Sequence, residues 1–328
     1  MEIQEKNPTI RRKPNFKSIS EELRLIRSFD DIKYFIQKAS FVLPRLTGTV
    51  DRWTDVPPSI QIEPTNACNL NCITCGRSSS PRPVGRMDFE LFKKIIDDAS
   101  KIGVKRVQLF IMGEPLLHPK IVEMIRYVKS KKIGFHLTTN GLMLNQKIGD
   151  GILEAGVTSA DYVTISMLGF TKETHEKVMR GANHDRIVDN INRFIEKRKE
   201  LKVKGPVLET VFYSIPENEQ ELTPFLEYWG KRVDHVIDGG RAVEAFIDQG
   251  RPTKPRSKTC TMLWERMAIQ WNGDVVICGE DMNGAYVVGN LNNQSIQEVW
   301  LGEKLTSYKK IHKQGKFEEI PICQYCDW

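Results

Sequence analysis

The chain has 328 residues, 40% of them hydrophobic and 27% charged, with a formal net charge of +6. This length suffices for one large domain and a smaller one, and the composition is that of an ordinary globular protein. The excess of Lys and Arg fits a solvated surface, and because no nucleic-acid-binding motif accompanies it, nucleic acid is not an expected partner. The sequence shows neither a signal peptide nor an apolar run of the roughly 20 residues that a membrane helix needs. We therefore expect a cytoplasmic protein with no membrane partner.

An extension precedes the main body of the sequence. Ser20 is a typical helix N-cap, and apolar residues follow at helical spacing from Leu23 to Ile36. Pro57 and Pro58 then interrupt any regular element. This pattern predicts a helical N-terminal extension over residues 1–57 that packs on the main domain.

Strands and helices alternate from residue 59 onward. The predicted strands are Ser59–Glu63, Arg106–Met112, Gly134–Thr139, Tyr162–Met167, Val207–Ile215 and Asp234–Ile237. The predicted helices are Phe89–Ile102, Ile121–Lys131, Ile148–Ala155, Asp185–Leu201 and Glu219–Trp229. Such alternation predicts an α/β fold with a parallel sheet and helices outside it. Since six units are too few for a closed eight-fold barrel, we predict a partial (β/α)6 barrel over residues 58–240.

The character of the sequence changes near residue 240. Residues 238–241 and 250–258 have the Gly, Pro and charged composition of linkers. Asn272-Gly273 then separates two apolar runs, Met267–Trp271 and Asp274–Cys278, and this is a strong hairpin signal. We predict a separate small C-terminal domain over residues 241–328.

The seven cysteines form two groups. Cys68, Cys72 and Cys75 have the spacing C-x3-C-x2-C in a loop that follows a predicted strand. Disulfides are rare in a reducing cytoplasm, so closely spaced cysteines indicate metal binding. Three thiolates can hold a [4Fe–4S] cluster and leave one iron open, whereas a zinc site usually needs four ligands.

The second group is Cys260, Cys278, Cys323 and Cys326, separated by 17, 44 and 2 residues. Four thiolates can ligate every iron of one cluster. They can equally hold a structural zinc, and the residues alone leave both alternatives open. The two groups together account for all seven cysteines.

The first cysteine motif and the segments that follow it resemble the radical S-adenosylmethionine (SAM) superfamily. In that family the open iron chelates SAM, and one electron from the cluster yields a 5′-deoxyadenosyl radical that abstracts hydrogen from the substrate. The resemblance implies cofactor-binding roles for residues in four segments after strands, in the order of the family. These residues are Gly113, Glu114, Pro115, Thr138, Asn140, Ser166 and Arg180. Two positions depart from the family pattern: Met112 replaces a glycine, and Thr74 replaces a bulky residue before the third cysteine.

The C-terminal group resembles the SPASM/twitch extension of radical SAM enzymes, in the short form of aminocyclitol dehydrogenases. The resemblance implies a second, auxiliary [4Fe–4S] cluster and an external electron donor such as flavodoxin or ferredoxin. Our first hypothesis is oxidation of a small hydroxylated metabolite, with the auxiliary cluster as electron acceptor and Arg241 as the group that assists deprotonation. The alternatives are a peptide-modifying maturase and a non-catalytic iron–sulfur or zinc protein. His118 and His136 are candidates for proton transfer, with a structural histidine as the alternative.

Overall fold

The computed structural model describes residues 10–12, 55–241 and 255–326, with the backbone alone for residues 10–12 and 241. The predicted helices of the N-terminal extension therefore lie outside the described residues. Within that extension, Ile10–Arg12 forms a short strand, β1. The sequence analysis did not predict this strand.

Six parallel strands form the centre of the fold, in the order of the chain. They are β2 (Ser59–Ile62), β3 (Arg106–Leu109), β4 (Gly134–Thr139), β5 (Tyr162–Ser166), β6 (Val207–Ser214) and β7 (His235–Arg241). Each pairs in parallel with the next. The helices between them are α1 (Phe89–Lys101), α2 (Ile121–Ser130), α3 (Gln146–Leu153), α4 (Lys172–Val178), α5 (His184–Glu200) and α6 (Leu222–Gly230). The predicted α/β fold with a partial (β/α)6 barrel is confirmed.

Residues 238–241 are not linker, as the sequence suggested, but the end of β7. The strand reaches Arg241 because its pairing with β6 resumes there after a register shift, with Ser214 opposite Arg241. On the other edge, β1 adds in parallel from Val236 to Asp238. The glycines that suggested a linker are accommodated within the sheet, with Gly239 against the ring of Tyr213.

The sheet also continues into the C-terminal part of the chain. Strand β8 (Arg266–Ile269) pairs in parallel with β2, with Ser59 opposite Arg266. The predicted hairpin is confirmed: β9 (Asp274–Val276) pairs antiparallel with β8, and Gly273 in the turn has φ +89°. Strand β10 (Val287–Asn290) completes a ten-stranded sheet, and α7 (Met262–Glu265), α8 (Ile296–Trp300), α9 (Glu303–Lys313) and α10 (Pro321–Gln324) surround it.

The two faces of the central sheet differ in polarity. In β4, Phe135, Leu137 and Thr139 are buried against the helices, whereas the alternating His136 and Thr138 point to the inside and are partly accessible. The helices match this arrangement; α1, for example, is capped by the Asp88 carboxylate and buries one apolar face. The interior of the partial barrel is thus polar, and His136 and Thr138 are partly accessible there. Across residues 55–241 and 255–326, no helix is long and apolar enough to cross a membrane.

Candidate functional site

The first three cysteines lie in the loop that leaves the C-terminal end of β2. Two backbone hydrogen bonds hold this loop against the segment after α4: the Ile73 amide donates to the Val178 carbonyl at 2.9 Å, and the Asn71 amide donates to the Arg180 carbonyl at 2.8 Å. Cys68 and Cys72 are half-buried and Cys75 is exposed. The loop is thus fixed at its centre, with its three sulfur atoms at the mouth of the barrel.

The thiols of this loop suit a metal centre. Burial, followed by the charges of Cys75 and Cys68, raises the pKa of Cys72 to about 12, and burial also raises the pKa of Cys68. Both residues are therefore thiols at neutral pH until a cation displaces their protons. A set of three sulfur donors without a fourth protein ligand fits a cluster that keeps one iron open.

Gly113 and Glu114 contact the backbone that leads into the cysteine loop. Gly113 has φ +83°, and a Cβ atom there would lie 2.4 Å from the Thr65 carbonyl oxygen. The Glu114 amide donates to the Ala67 carbonyl at 2.8 Å, and Pro115 begins a short 3₁₀ helix. The structure thus explains the glycine by close packing against the backbone that leads into Cys68.

The Glu114 side chain is a buried hydrogen-bond acceptor that joins two loops. Its carboxylate accepts from the Leu116 amide at 3.0 Å, the Thr139 hydroxyl at 2.7 Å and the Asn140 amide at 2.7 Å. Burial raises its pKa, although these donors oppose the shift. Three of roughly four acceptor positions are therefore already used within the protein. One acceptor position of this carboxylate is left for the contact with the SAM ammonium that the resemblance implies.

Asn140 connects the end of β4 to the cysteine loop. Its Nδ2 donates to Asn69 Oδ1 at 2.9 Å and lies 4.0 Å from Cys68 Sγ. Thr138 and Ser166 point to the inside at the ends of β4 and β5, and both are partly accessible. The Arg180 side chain is exposed, while its carbonyl contacts the cysteine loop. The Glu114 amide, the Asn140 side chain and the Arg180 carbonyl thus contact the cysteine loop or the residue that leads into it. Thr138 and Ser166 face the interior, and their SAM-binding role stays a prediction.

The two candidate histidines have different surroundings. His118 is buried, with Nε2 at 3.0 Å from the Met87 carbonyl and Nδ1 accepting from the Lys120 amide at 3.2 Å. Both ring nitrogens are thus engaged by backbone, so proton transfer by His118 is ruled out in this geometry and its role is structural. His136 lies inside the barrel, with Nε2 at 2.8 Å from Thr164 Oγ1.

Two functional candidates were missed by sequence reasoning. Thr164 and Glu209 lie side by side on β5 and β6, and the Thr164 hydroxyl donates to Glu209 Oε2 at 2.9 Å. Both side chains are buried. The available signal was Glu209 as the one charged residue of the predicted strand Val207–Ile215, because a buried charge needs a specific reason.

The four C-terminal cysteines converge, although they are far apart in the chain. Cys260 precedes α7, Cys278 follows β9, Cys323 lies in α10 and Cys326 follows it, and all four line one cavity. Burial, followed by the charges of Cys260 and Cys326, raises the pKa of Cys323 to about 12. Burial and then Cys260 raise the pKa of Cys278 well above its usual range. These thiols too require a cation to become ligands.

A buried ion pair links the barrel to the C-terminal part of the chain. Arg82 donates to both carboxylate oxygens of Glu63, at 3.1 and 2.5 Å, and to the Met282 carbonyl at 2.8 Å. Glu63 also accepts from the Trp271 amide at 3.1 Å. Glu63 follows β2, whereas Trp271 and Met282 belong to the C-terminal part. The Arg241 side chain, proposed to assist deprotonation, lies outside the described residues, and its backbone ends β7.

Two family models match the chain. The model of the radical SAM superfamily matches residues 62–228, and that of an iron–sulfur cluster-binding domain, SPASM, matches residues 260–327. The chain is 30% identical to an AdoMet-dependent heme synthase of Methanosarcina barkeri, over 83% of this chain and 90% of the relative. It is 24% identical to an S-adenosyl-L-methionine-dependent 2-deoxy-scyllo-inosamine dehydrogenase of Niallia circulans, over 82% and 92%.

Two solved structures share the fold. BtrN in complex with AdoMet and 2-DOIA superposes with a TM-score of 0.58 at 19% identity, over 83% of this chain and 94% of that one. SuiB of Streptococcus suis, bound to the precursor peptide SuiA, gives a TM-score of 0.57 at 14% identity, over 87% and 72%. The matches indicate a SAM-binding [4Fe–4S] cluster, SAM and auxiliary iron–sulfur binding.

Proposed function

Because this chain belongs to the radical SAM superfamily, we propose that it oxidises an alcohol carbon of a small hydroxylated metabolite, such as a sugar or cyclitol. The observation that carries this proposal is the second cysteine site. Four cysteines converge there, so every iron of an auxiliary cluster has a protein ligand. A cluster without an open iron suits electron transfer, and oxidation of a substrate radical needs an electron acceptor.

The residues that would hold the cofactors are those that the structure assembles. Cys68, Cys72 and Cys75 would ligate the first cluster, and the C-terminal cysteines the auxiliary one. When bound, SAM supplies the radical that removes a hydrogen atom, and the auxiliary cluster takes up one electron. Thr138 and Ser166 lie near the C-terminal ends of β4 and β5 with their side chains facing the interior, and they would contact SAM there.

The interior of the barrel supports a polar substrate of modest size. The inward-facing side chains of neighbouring strands include Gln61, Gln108, His136, Thr164 and Glu209, which offer donors and acceptors to hydroxyl groups. Similarity to a cyclitol amine dehydrogenase over most of both chains points to the same substrate class. Arg241 remains our candidate for assisting deprotonation from the end of β7. A one-electron donor of the flavodoxin or ferredoxin type would reduce the first cluster.

A peptide side chain is the second candidate substrate. The observation that favours it is the fold shared with SuiB, whose structure contains a precursor peptide. A peptide must enter from the mouth of the barrel, whereas a small metabolite can be enclosed. A serine side chain is also an alcohol and can undergo the same oxidation. The two proposals are therefore distinguished by whether a small metabolite or a peptide is oxidised.

The test begins with anaerobic reconstitution and the number of irons per chain. We expect about eight irons in the wild type and about four in a Cys68/Cys72/Cys75→Ala variant, which also loses SAM cleavage. Purified wild type is then offered SAM, a reductant and a panel of cyclitols, sugars and serine-containing peptides, with carbonyl formation as the readout. About four irons and one zinc per chain, or no oxidised alcohol in the panel, would refute the proposed oxidation.

A further inference from the structure

Three polar side chains form a continuous hydrogen-bonded chain across three neighbouring strands inside the barrel. His136 on β4 contacts Thr164 on β5 at 2.8 Å, and Thr164 contacts Glu209 on β6 at 2.9 Å. The register brings Thr164 opposite both Thr138 and Glu209. The three residues therefore belong to the rigid strands and not to loops.

The direction of this chain follows from what each group can donate. The Glu209 carboxylate can only accept, so the Thr164 hydroxyl donates its single hydrogen to Glu209. Thr164 Oγ1 must then accept from His136, which requires a hydrogen on His136 Nε2. In a neutral imidazole, Nδ1 then carries a lone pair and can accept a proton.

The His136 ring is the partly accessible member of this chain. The rings nearest to it are those of Phe110, at a centroid distance of 5.3 Å, and Tyr162, at 5.8 Å. Thr164 and Glu209 are buried. A substrate hydroxyl would therefore meet the chain at His136.

We propose that His136, Thr164 and Glu209 form a proton relay that takes the hydroxyl proton from the alcohol substrate. This inference rests on the proposed alcohol oxidation. It assigns proton acceptance to side chains inside the barrel, because the guanidinium of Arg241, our candidate for assisting deprotonation, cannot itself accept a proton.

The relay completes the balance of the reaction. The hydrogen atom on the alcohol carbon goes to the radical derived from SAM, and the remaining substrate radical gives one electron to the auxiliary cluster. The substrate O–H bond breaks, and its proton passes to His136 Nδ1. The Nε2 proton moves to Thr164 Oγ1, and the Thr164 proton moves to the Glu209 carboxylate. Loss of one hydrogen atom, one electron and one proton converts the alcohol to a carbonyl.

A relay suits this position better than an isolated histidine. Burial, followed by the charges of Arg106 and Arg266, lowers the pKa of His136 to about 3. An imidazolium is therefore unfavourable there, and a single histidine would hold the proton poorly. In the relay, His136 gains one proton and loses another, so it stays neutral while Glu209 takes up the charge change.

The first test measures the tautomer of His136 without turnover. Histidine-selective ¹⁵N NMR of the wild type at pH 7, assigned by His136→Asn, should show a neutral ring with hydrogen on Nε2. Thr164→Ser should preserve this tautomer, and Thr164→Val should give a mixture of both. An imidazolium, or hydrogen on Nδ1 in the wild type, would overturn the relay.

The second test uses turnover of an alcohol that the wild type oxidises. Thr164→Val and Glu209→Gln should lower the rate of carbonyl formation about 100-fold while 5′-deoxyadenosine is still released, and Thr164→Ser should stay near wild type. Thr210→Val is the matched control, because among the described residues the buried Thr210 hydroxyl has no hydrogen-bond partner. Unchanged rates in the Thr164 and Glu209 variants would refute the relay alone, whereas no oxidised alcohol in the wild type would refute the proposed function and the relay with it.

Discussion

The buried ion pair between Arg82 and Glu63 offers a sharp test of how the two halves of the molecule are held together. Glu63 has no solvent exposure, and Arg82 is 9% exposed. Arg82→Met would leave the Glu63 carboxylate buried, with the Trp271 amide as its one remaining donor within residues 55–241 and 255–326. Removing one partner of a buried pair typically costs about 3–5 kcal/mol, because the other charge stays uncompensated. We expect a loss of this size in the free energy of unfolding.

The measurement is urea unfolding of the reduced, metal-free chain, followed by far-UV circular dichroism. Arg186→Met, at an exposed position, is the control and should change stability by less than about 0.5 kcal/mol. The double variant Glu63→Gln/Arg82→Met should regain part of the loss, because the buried charge is gone. A change below about 1 kcal/mol in Arg82→Met would show that the pair contributes little, and our interpretation of this link would be wrong.

Two further predictions concern the cysteine loop and acid stability. Gly113→Ala should cost about 3 kcal/mol of unfolding free energy, because φ is +83° and its Cβ would lie 2.4 Å from the Thr65 carbonyl oxygen. Gly156→Ala, at φ +78° in open space, should cost only about 1 kcal/mol, and equal losses in denaturant titrations would contradict this explanation. Burial, followed by the charge of His184, lowers the pKa of His175 to about 4. The neutral ring therefore contributes its full share to the free energy of unfolding above pH 6.5, the ordinary pKa of a histidine. This contribution, about 3 kcal/mol in total, is lost as the pH falls through 4. His175→Asn should weaken the pH dependence of unfolding by that amount between pH 7 and 4, and an unchanged dependence would refute the assignment.

The sequence predicted those features that local patterns encode. Strand β4 was predicted at its observed bounds, because Gly134–Thr139 alternates clearly and is followed by a turn. The hairpin at Asn272-Gly273 was predicted from two residues. The grouping of the cysteines was likewise visible from spacing and number, since a cluster needs several sulfur donors.

Features that depend on distant partners could not be predicted. Nothing in Ile10–Arg12 indicates that it will pair with β7. The glycines of residues 238–241 suggested a linker, whereas the pairing of Arg241 with Ser214 of β6 continues the strand past them. Glu114 was interpreted from the resemblance as a SAM ligand, whereas two of its three hydrogen bonds go to Thr139 and Asn140, which lie 25 and 26 residues further along the chain. The partners of a buried side chain are set by tertiary packing, which a single sequence does not show.

The parallel pairing of β2 with β8 has a consequence for the order in which the protein is made. Ser59 Oγ donates to the Glu265 carbonyl, across a sequence separation of 206 residues. During synthesis from the N-terminus, β2 is therefore complete long before its second neighbour leaves the ribosome, and one of its edges stays unpaired during that time. The contacts that hold the cysteine loop after β2, with Val178, Arg180 and Glu114, are all made by residues that precede β8. The loop is therefore expected to take its position before this edge is covered, whereas the edge itself depends on the finished chain.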